Sequence, residues 1–279
     1  MEITGLFEHL IFVTVRIQVE YEDGSNGSGT GFIYHYKHSD GLFYAFIVTN
    51  KHVLEGGKSI YLLFNESDGV NPKLGAHVEI KIGDKELGSE GHPNPEVDVA
   101  IMPFDTVKTE IEKQGKKVFY RSFSNELCPT DEQIKELSAV ETIYFIGYPD
   151  GIYDTVNLLP IVRSGITATS IEVDFSGTPV FLIDASVFPG SSGSPVFLMN
   201  IGSFVDKRGA MHVASSRRYF LGVVAAVYFK TEENKIVSIP IPTKKEKVVH
   251  TREMIDLGQV FKWTCVNETI LYVLKKVGK

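Results

Sequence analysis

Cysteine is the scarcest informative residue in this 279-residue chain: only Cys128 and Cys265 are present. Two thiols exclude a disulfide framework and point to a reducing compartment, so a cytoplasm is the expected location. The N-terminus, MEITGLFEHLIFVTV, lacks the basic head and small-residue cleavage site of a secretory leader. No run approaches the roughly 20 apolar residues that cross a bilayer. Neither a leader nor a membrane span is expected, and NET at 267–269 reads as an accidental glycosylation match. Positive charge is also short. Lys and Arg number 28 against 35 Asp and Glu, a net charge of −7, which argues against general affinity for nucleic acid or anionic membranes. The two basic runs, EKQGKK and TKKEKVV, are short and interrupted, and read as solvated faces. There is no H-E-x-x-H, no paired Cys/His spacing, no G-x-x-x-x-G-K-[ST] and no G-x-G-x-x-G. Metal hydrolysis and nucleotide use therefore lack support, and neither a metal nor a cofactor is expected.

What the chain has in quantity is short β-type runs separated by turn chemistry. The first half offers 10–21, 30–36, 43–49, 59–64, 77–82 and 97–104; the second offers 141–148, 159–166, 178–184, 194–199, 219–229 and 257–266. Segments such as EDGSNGSG, LEGG and GSEGHPNP punctuate them. Residues 105–140 are polar with helical character, and Thr130 and Gln133 have capping-box spacing. NETILYVLKKVG has apolar residues at helical spacing and basic residues near its end. The expectation is an all-β protein of two six-stranded antiparallel barrels, 1–104 and 141–265, joined by a partly helical connector at 105–140 and closed by a helix at 266–279. A single large sandwich is the alternative; a βαβ sheet is disfavoured because helices do not alternate with strands.

One stretch organises the rest. IDASVFPGSSGSPVF, from Ile183 to Phe197, sets Ser192 between Gly190 and Gly193, with an apolar run on each side. Strand, glycine turn, strand holds one hydroxyl in the open and turns backbone N–H groups beside it, where an oxyanion could be received. A serine there needs a base. Of the eight histidines (His9, His35, His38, His52, His77, His92, His212 and His250), most sit among polar neighbours as exposed side chains do. His52 differs, following an apolar strand in FIVTNKHVLEGG and opening a polar turn. Asp98 interrupts the front of the apolar strand VDVAIMPF. It either starts the strand facing solvent or is buried, and a buried acid needs a donor such as an imidazole N–H. The chain order His, Asp, Ser is that of chymotrypsin, distinct from subtilisin and the α/β-hydrolases. GSSGS matches a bare G-x-S-x-G, but a strand pattern follows Ser192 where a hydrolase elbow has a helix.

On these residues the chain resembles the trypsin-like, chymotrypsin-fold serine endopeptidases, most of all the HtrA-like branch. TNKHV resembles the histidine motif, VDVAIMPF the aspartate motif and IDASVFPGSSGSPVF the serine motif; GSGTGFIY, VRSGITAT, LGVVAAV and DLGQVFKW echo further strands. The matches run in order through most of residues 10–265, leaving 105–140 and 200–218 without counterpart. No segment resembles the PDZ domain of many HtrA proteins, so a bare peptidase domain is expected. The resemblance implies Ser192 as nucleophile, His52 as general base and then acid, and Asp98 as the residue that orients the imidazole. It implies an oxyanion hole made by the N–H groups of Gly190 and Ser192. It places Ser186 near the base of the S1 pocket, with Val187, Phe188, Ala225, Ala226 and Val227 as apolar walls, which favours a small or medium apolar or neutral P1 residue. Polypeptide substrate would add as an extended strand after Gly222.

Departures from the family pattern carry weight too. Ser191 stands where digestive relatives have an Asp that pairs with a newly cleaved N-terminus, and no Arg/Lys-Ile-Val-Gly site is present. The expectation is an active site formed without zymogen cleavage, with control left to loop order or a regulatory protein partner. Ala225 stands where many relatives have a Ser or Asn supporting the aspartate, so Asp98 must find another donor. Two rival readings share the fold: a peptide- or partner-binding module without catalysis, and an esterase for non-peptide acyl groups. Cytosolic relatives of this kind also resemble bacterial stress or phage-defence effectors. Oligomeric state is not set by the sequence.

Overall fold

The computed structural model describes residues 2–83, 87–149, 152–234 and 249–279. The basic run TKKEKVV lies outside them except for Val249, whereas 112–117, the other basic run, is exposed throughout.

The first half is a nine-stranded sheet. In chain order its main strands are β1 (Thr14–Tyr21), β2 (Asn26–Lys37), β3 (Phe43–Thr49), β4 (Gly57–Ser67), β5 (Pro72–Gly83), β6 (Glu90–Gly91) and β7 (Ala100–Pro103). They lie in the order β5-β4-β1-β2-β3-β7-β6. All six expected runs are strands, yet the path is open among the described residues, where a closed barrel was expected. The connector supplies the missing pair: β8 (Val118–Phe119) joins β4, and β9 (Phe123–Ser124) runs parallel to β2. Alternation along these strands sends Val15, Ile17, Ile33, Ile47, Ile60, Leu62 and Ile80 into one interior, fully buried.

The second half closes. β10 (Thr142–Gly147), β11 (Ile161–Thr167), β12 (Val180–Asp184), β13 (Pro195–Asn200), β16 (Arg217–Asn234) and β17 (Val249–Lys262) form a six-stranded barrel. A small hairpin, β14 (Ser203–Val205) with β15 (Met211–Val213), stands apart from it. The connector also holds two α-helices and a short 3-10 turn, Asn125–Leu127, besides its strands. Of these, Asp131–Lys135 carries the capping box expected at Thr130 and Gln133, both hydrogen bonds being formed.

Two expectations are corrected at the chain ends. A strand was expected from residue 10, but Leu6–Ile11 is a helix and the strand starts at Thr14. Leu6, Phe7 and Leu10 fall on one helical face and pack onto the main core, a pattern too short to separate from the strand run that follows. At the other end the helix begins at Trp263, not after 265. Trp263, Val266, Ile270 and Leu274 are its buried stripe, at helical spacing that starts inside an apolar run resembling a strand.

Aromatic packing holds the halves together. Phe32 and Tyr34 of the first sheet meet Phe123 of the connector and Phe197 and Phe220 of the barrel, with ring centroids 5.0–5.8 Å apart between Phe123, Phe197 and Phe220. Phe32 lies 5.4 Å from both Phe123 and Phe220. Edge-to-face and tilted pairs at this separation add to the burial of the rings. The C-terminal helix continues the seam, with Tyr34 donating its hydroxyl to Asn267 Oδ1 at 2.8 Å.

Both cysteines are free thiols. Burial pushes Cys128 up to about 11 and Cys265 up to about 12. An unfolded chain ionises its thiols near pH 8.5, so between there and the folded values it releases protons that the native state keeps. Stability from this source is complete below the unfolded value and is lost as pH rises toward 11 and 12. Thermal unfolding is expected to show a Tm that declines above pH 9, and Cys265→Ala should flatten that decline. A wild-type slope matched by the variant would refute the assignment.

Candidate active site

Strand pairing places the histidine and the aspartate. Thr49, the last residue of β3, pairs with Ala100, the first of β7. His52 follows three residues after Thr49, and Asp98 precedes Ala100 by two, so the two side chains emerge at one end of the sheet. A one-turn helix, Lys51–Leu54, anchored by buried Val53 and Leu54, presents the imidazole. His52 Nδ1 lies 2.5 Å from Asp98 Oδ2, and the His52 backbone N–H donates to Oδ1 at 3.1 Å. The carboxylate thus engages both the ring and the backbone of His52 and leaves Nε2 as the free ring nitrogen. Burial raises the Asp98 carboxyl, but the His52 ring and the backbone N–H groups of His52 and Lys51 outweigh it, and the net position is below the usual carboxylate range. These are the donors that Ala225 does not provide. Asn50, fully buried, donates Nδ2 to the Asp98 carbonyl at 2.5 Å and fixes the backbone behind the acid.

The serine sits in a turn whose geometry follows from its letters. Phe188-Pro189-Gly190-Ser191 closes through Ser191 N–H to Phe188 O at 3.0 Å, with φ +83° at Gly190. Proline second and a positive-φ glycine third define a type II turn. Ser191 N–H, Gly193 N–H (to Val224 O, 2.8 Å) and Ser194 N–H (to Ser191 O, 3.0 Å) all have backbone acceptors. Among the described residues, the N–H groups of Gly190 and Ser192 have none. The Ser192 hydroxyl is directed to Ala225 O at 3.5 Å, and no hydrogen bond joins it to His52 among the described residues. Hydrogen bonds of this kind are often long or misaligned without substrate.

The first half reaches across to lock this turn through Thr30. Its N–H donates to Ser192 O at 2.8 Å, and its hydroxyl donates to Gly190 O at 3.0 Å while accepting from Tyr148 N–H at 2.9 Å. Thr49 Oγ1 in turn donates to Thr30 O at 2.7 Å. Gly29 packs against Val53 beside His52, so the stretch Gly29–Thr30 touches both the histidine's helix and the serine's turn.

Beside Ser192 opens a cavity of about 280 Å³. Val187, Phe188 and Pro189 form one wall and Val224–Val227 the other, with Ser192 at the edge. Ser186 does not line it. Alternation continues past β12, so Ala185 and Val187 are buried while Ser186 faces out, and its carbonyl accepts from Arg163. Thr30, Asn50 and Arg163 were not singled out from the sequence as site residues. Each lay inside a motif that carried the resemblance, Thr30 in GSGTGFIY, Asn50 in TNKHV and Arg163 in VRSGITAT, but none stood out there as a chemical residue.

Fold and site together define the trypsin-like peptidase class. The chain belongs to that family: the model of the trypsin-like peptidase domain matches residues 29–205. Among solved structures, the HtrA-type protease AlgW with tripeptide is similar at 12% identity and a TM-score of 0.50, over 95% of this chain and 61% of that one. The chain thus spans about three-fifths of that relative's length. The serine endoprotease from Yersinia pestis is similar at 15% identity and a TM-score of 0.46, over 95% and 64%. The Rv3671c protease from M. tuberculosis in its active form gives 18% and 0.44, over 96% and 82%. No match is found among curated proteins. No helix among the described residues is long and apolar enough to cross a membrane.

Proposed function

We propose that the protein is a serine endopeptidase that cleaves peptide bonds through Ser192, His52 and Asp98 by way of an acyl-enzyme, with an oxyanion hole formed without zymogen cleavage. The observation that carries this reading is the pair of unclaimed N–H groups. Gly190 and Ser192 are the only N–H groups from Gly190 to Ser194 without an acceptor among the described residues. A pair of unpaired donors beside a serine is what a developing oxyanion requires.

Rotation of the Ser192 side chain from Ala225 O toward His52 Nε2 starts the chemistry. As Oγ attacks the scissile carbonyl, its proton passes to Nε2, and Asp98 stabilises the imidazolium. The oxyanion accepts from Gly190 and Ser192, and collapse expels the amine, which takes the proton from Nε2. Water then repeats the sequence on the acyl-enzyme. The apolar cavity fits a small or medium apolar P1 side chain, and substrate backbone would pair with β16 after Gly222. That an HtrA-type relative was solved with a tripeptide supports a polypeptide as the substrate class. A reducing compartment, such as a cytoplasm, suits its free thiols.

A fluorophosphonate probe is expected to label Ser192 in the wild type, and a proteome-derived peptide library should yield cuts after apolar P1 residues. The rival, a binding module on the same fold, draws on the Ser192 hydroxyl pointing to Ala225 O. Absence of both label and cleavage would favour it; label with cleavage of esters alone would favour an acyl hydrolase.

A further inference from the structure

We propose that Arg163 is a positioning residue that holds the oxyanion turn in its type II form; the assignment rests on the peptidase reading above. Arg163 lies on β11, outside the turn, and directs both ends of its guanidinium at it. Nη1 donates to Ser186 O at 2.7 Å and Nη2 to Ser191 Oγ at 2.5 Å. These acceptors flank Val187–Gly190, so one rigid fork fixes the span of the whole loop. The planar group also lies over Phe145, 4.4 Å from the ring centroid, and faces Phe188 of the turn at 5.8 Å. Lysine, with one point charge, could not reach both acceptors in fixed geometry.

The placement is costly, which argues that it serves something. Nε is buried without a partner among the described residues. Burial pulls the guanidinium down to about 10, with no carboxylate opposing the fall among the described residues. The group therefore remains charged at neutral pH, desolvated, and engaged with one loop. Ser191 is itself fully buried, so its hydroxyl depends on this donor.

What the fork protects is one peptide plane. Type I and type II turns differ by a half-rotation of the central peptide, here Pro189–Gly190. That rotation would carry the Gly190 N–H to the opposite face and remove one of two oxyanion donors. The Ser191 N–H to Phe188 O bond is common to both turn types and cannot by itself choose between them. Anchors outside the turn must choose, and Arg163 supplies two beside that of Thr30.

The test compares the wild type with Arg163→Met, Arg163→Lys and Ser191→Ala on a quenched-fluorescent peptide selected from a library with the wild type. Arg163→Met is expected to lower kcat about 10²-fold, the cost of losing one oxyanion donor, with KM changed less than about threefold. Affinity for a peptide boronate, which mimics the tetrahedral state, should fall by the same factor, while the uncleaved peptide binds Ser192→Ala equally with and without Arg163→Met. Arg163→Lys should recover part of kcat. Ser191→Ala, which spares the arginine, should lose roughly tenfold, the worth of one hydrogen bond. An unchanged kcat in Arg163→Met would overturn the proposal, as would parallel losses of kcat, peptide affinity and Tm. If Arg163→Met does not fold, Ser191→Ala decides on the same readouts. A wild type that takes no fluorophosphonate and cleaves no peptide would overturn the peptidase reading and this assignment together; a labelled, active wild type with an indifferent Arg163 overturns this assignment alone.

Discussion

Ser192→Ala is expected to lower kcat by about 10⁶-fold, leaving the residual 10³–10⁴-fold over water that binding and oxyanion donors sustain in triad enzymes. Asp98→Asn should cost about 10⁴-fold. In the native site the carboxylate accepts from both the ring and the backbone N–H of His52. An amide turns a donor toward one of them, so the ring adopts the wrong tautomer and Nε2 cannot take the serine proton. Because the residues act as one unit, the double variant should be no slower than Ser192→Ala alone. Single-turnover assays on a peptide substrate measure all three. Activity within tenfold of wild type in Ser192→Ala would place the nucleophile elsewhere.

Gly193→Ala should be a severely damaging one-atom addition. Its φ is +86°, and an added Cβ would lie 1.8 Å from Thr30 O and 2.6 Å from Thr49 Oγ1. Relief requires breaking the Thr30 N–H bond to Ser192 O or shifting Gly193 away from Val224 O. Dihedral strain contributes about 1–3 kcal/mol and overpacking about 1–3 kcal/mol more. Gly209 is the control, with φ +84° and nothing within 4 Å of an added Cβ. Urea denaturation of both variants separates the terms: Gly209→Ala carries only the dihedral cost, and Gly193→Ala should lose more stability by the whole of the overpacking cost. Equal losses would refute the account.

The strands and the chemical residues could be read from sequence because each announces itself locally. An apolar run with turn letters at both ends marks a strand, and Asp98 stood out by interrupting one. The pairing of Thr49 with Ala100 then brings His52 and Asp98 face to face, although no local signal states that β3 and β7 are neighbours. Thr30 and Gly190 are 160 residues apart in the chain, and nothing around Thr30 advertises the bond. Arg163 reads as an ordinary charged residue on a strand until the turn it braces is in place. Ser186, which the resemblance put near the base of the S1 pocket, faces out because alternation continues past β12. The two extra strands of the first sheet, β8 and β9, are two residues each, too short to carry a pattern in the sequence.

The barrel behind Ser192 has a consequence for the order of events during synthesis. It closes only when β17, residues 249–262, inserts between β12 and β16. Until then Val180–Asp184, the strand leading into the nucleophile's loop, lacks one edge partner. The contact that Tyr34 makes with Asn267 also waits for the last helix. A ribosome-bound chain carries His52 and Asp98 early, yet the barrel that holds Ser192 closes only after Lys262 has emerged. On the peptidase reading proposed above, the nascent chain therefore cannot cleave itself or its neighbours before β17 is in place.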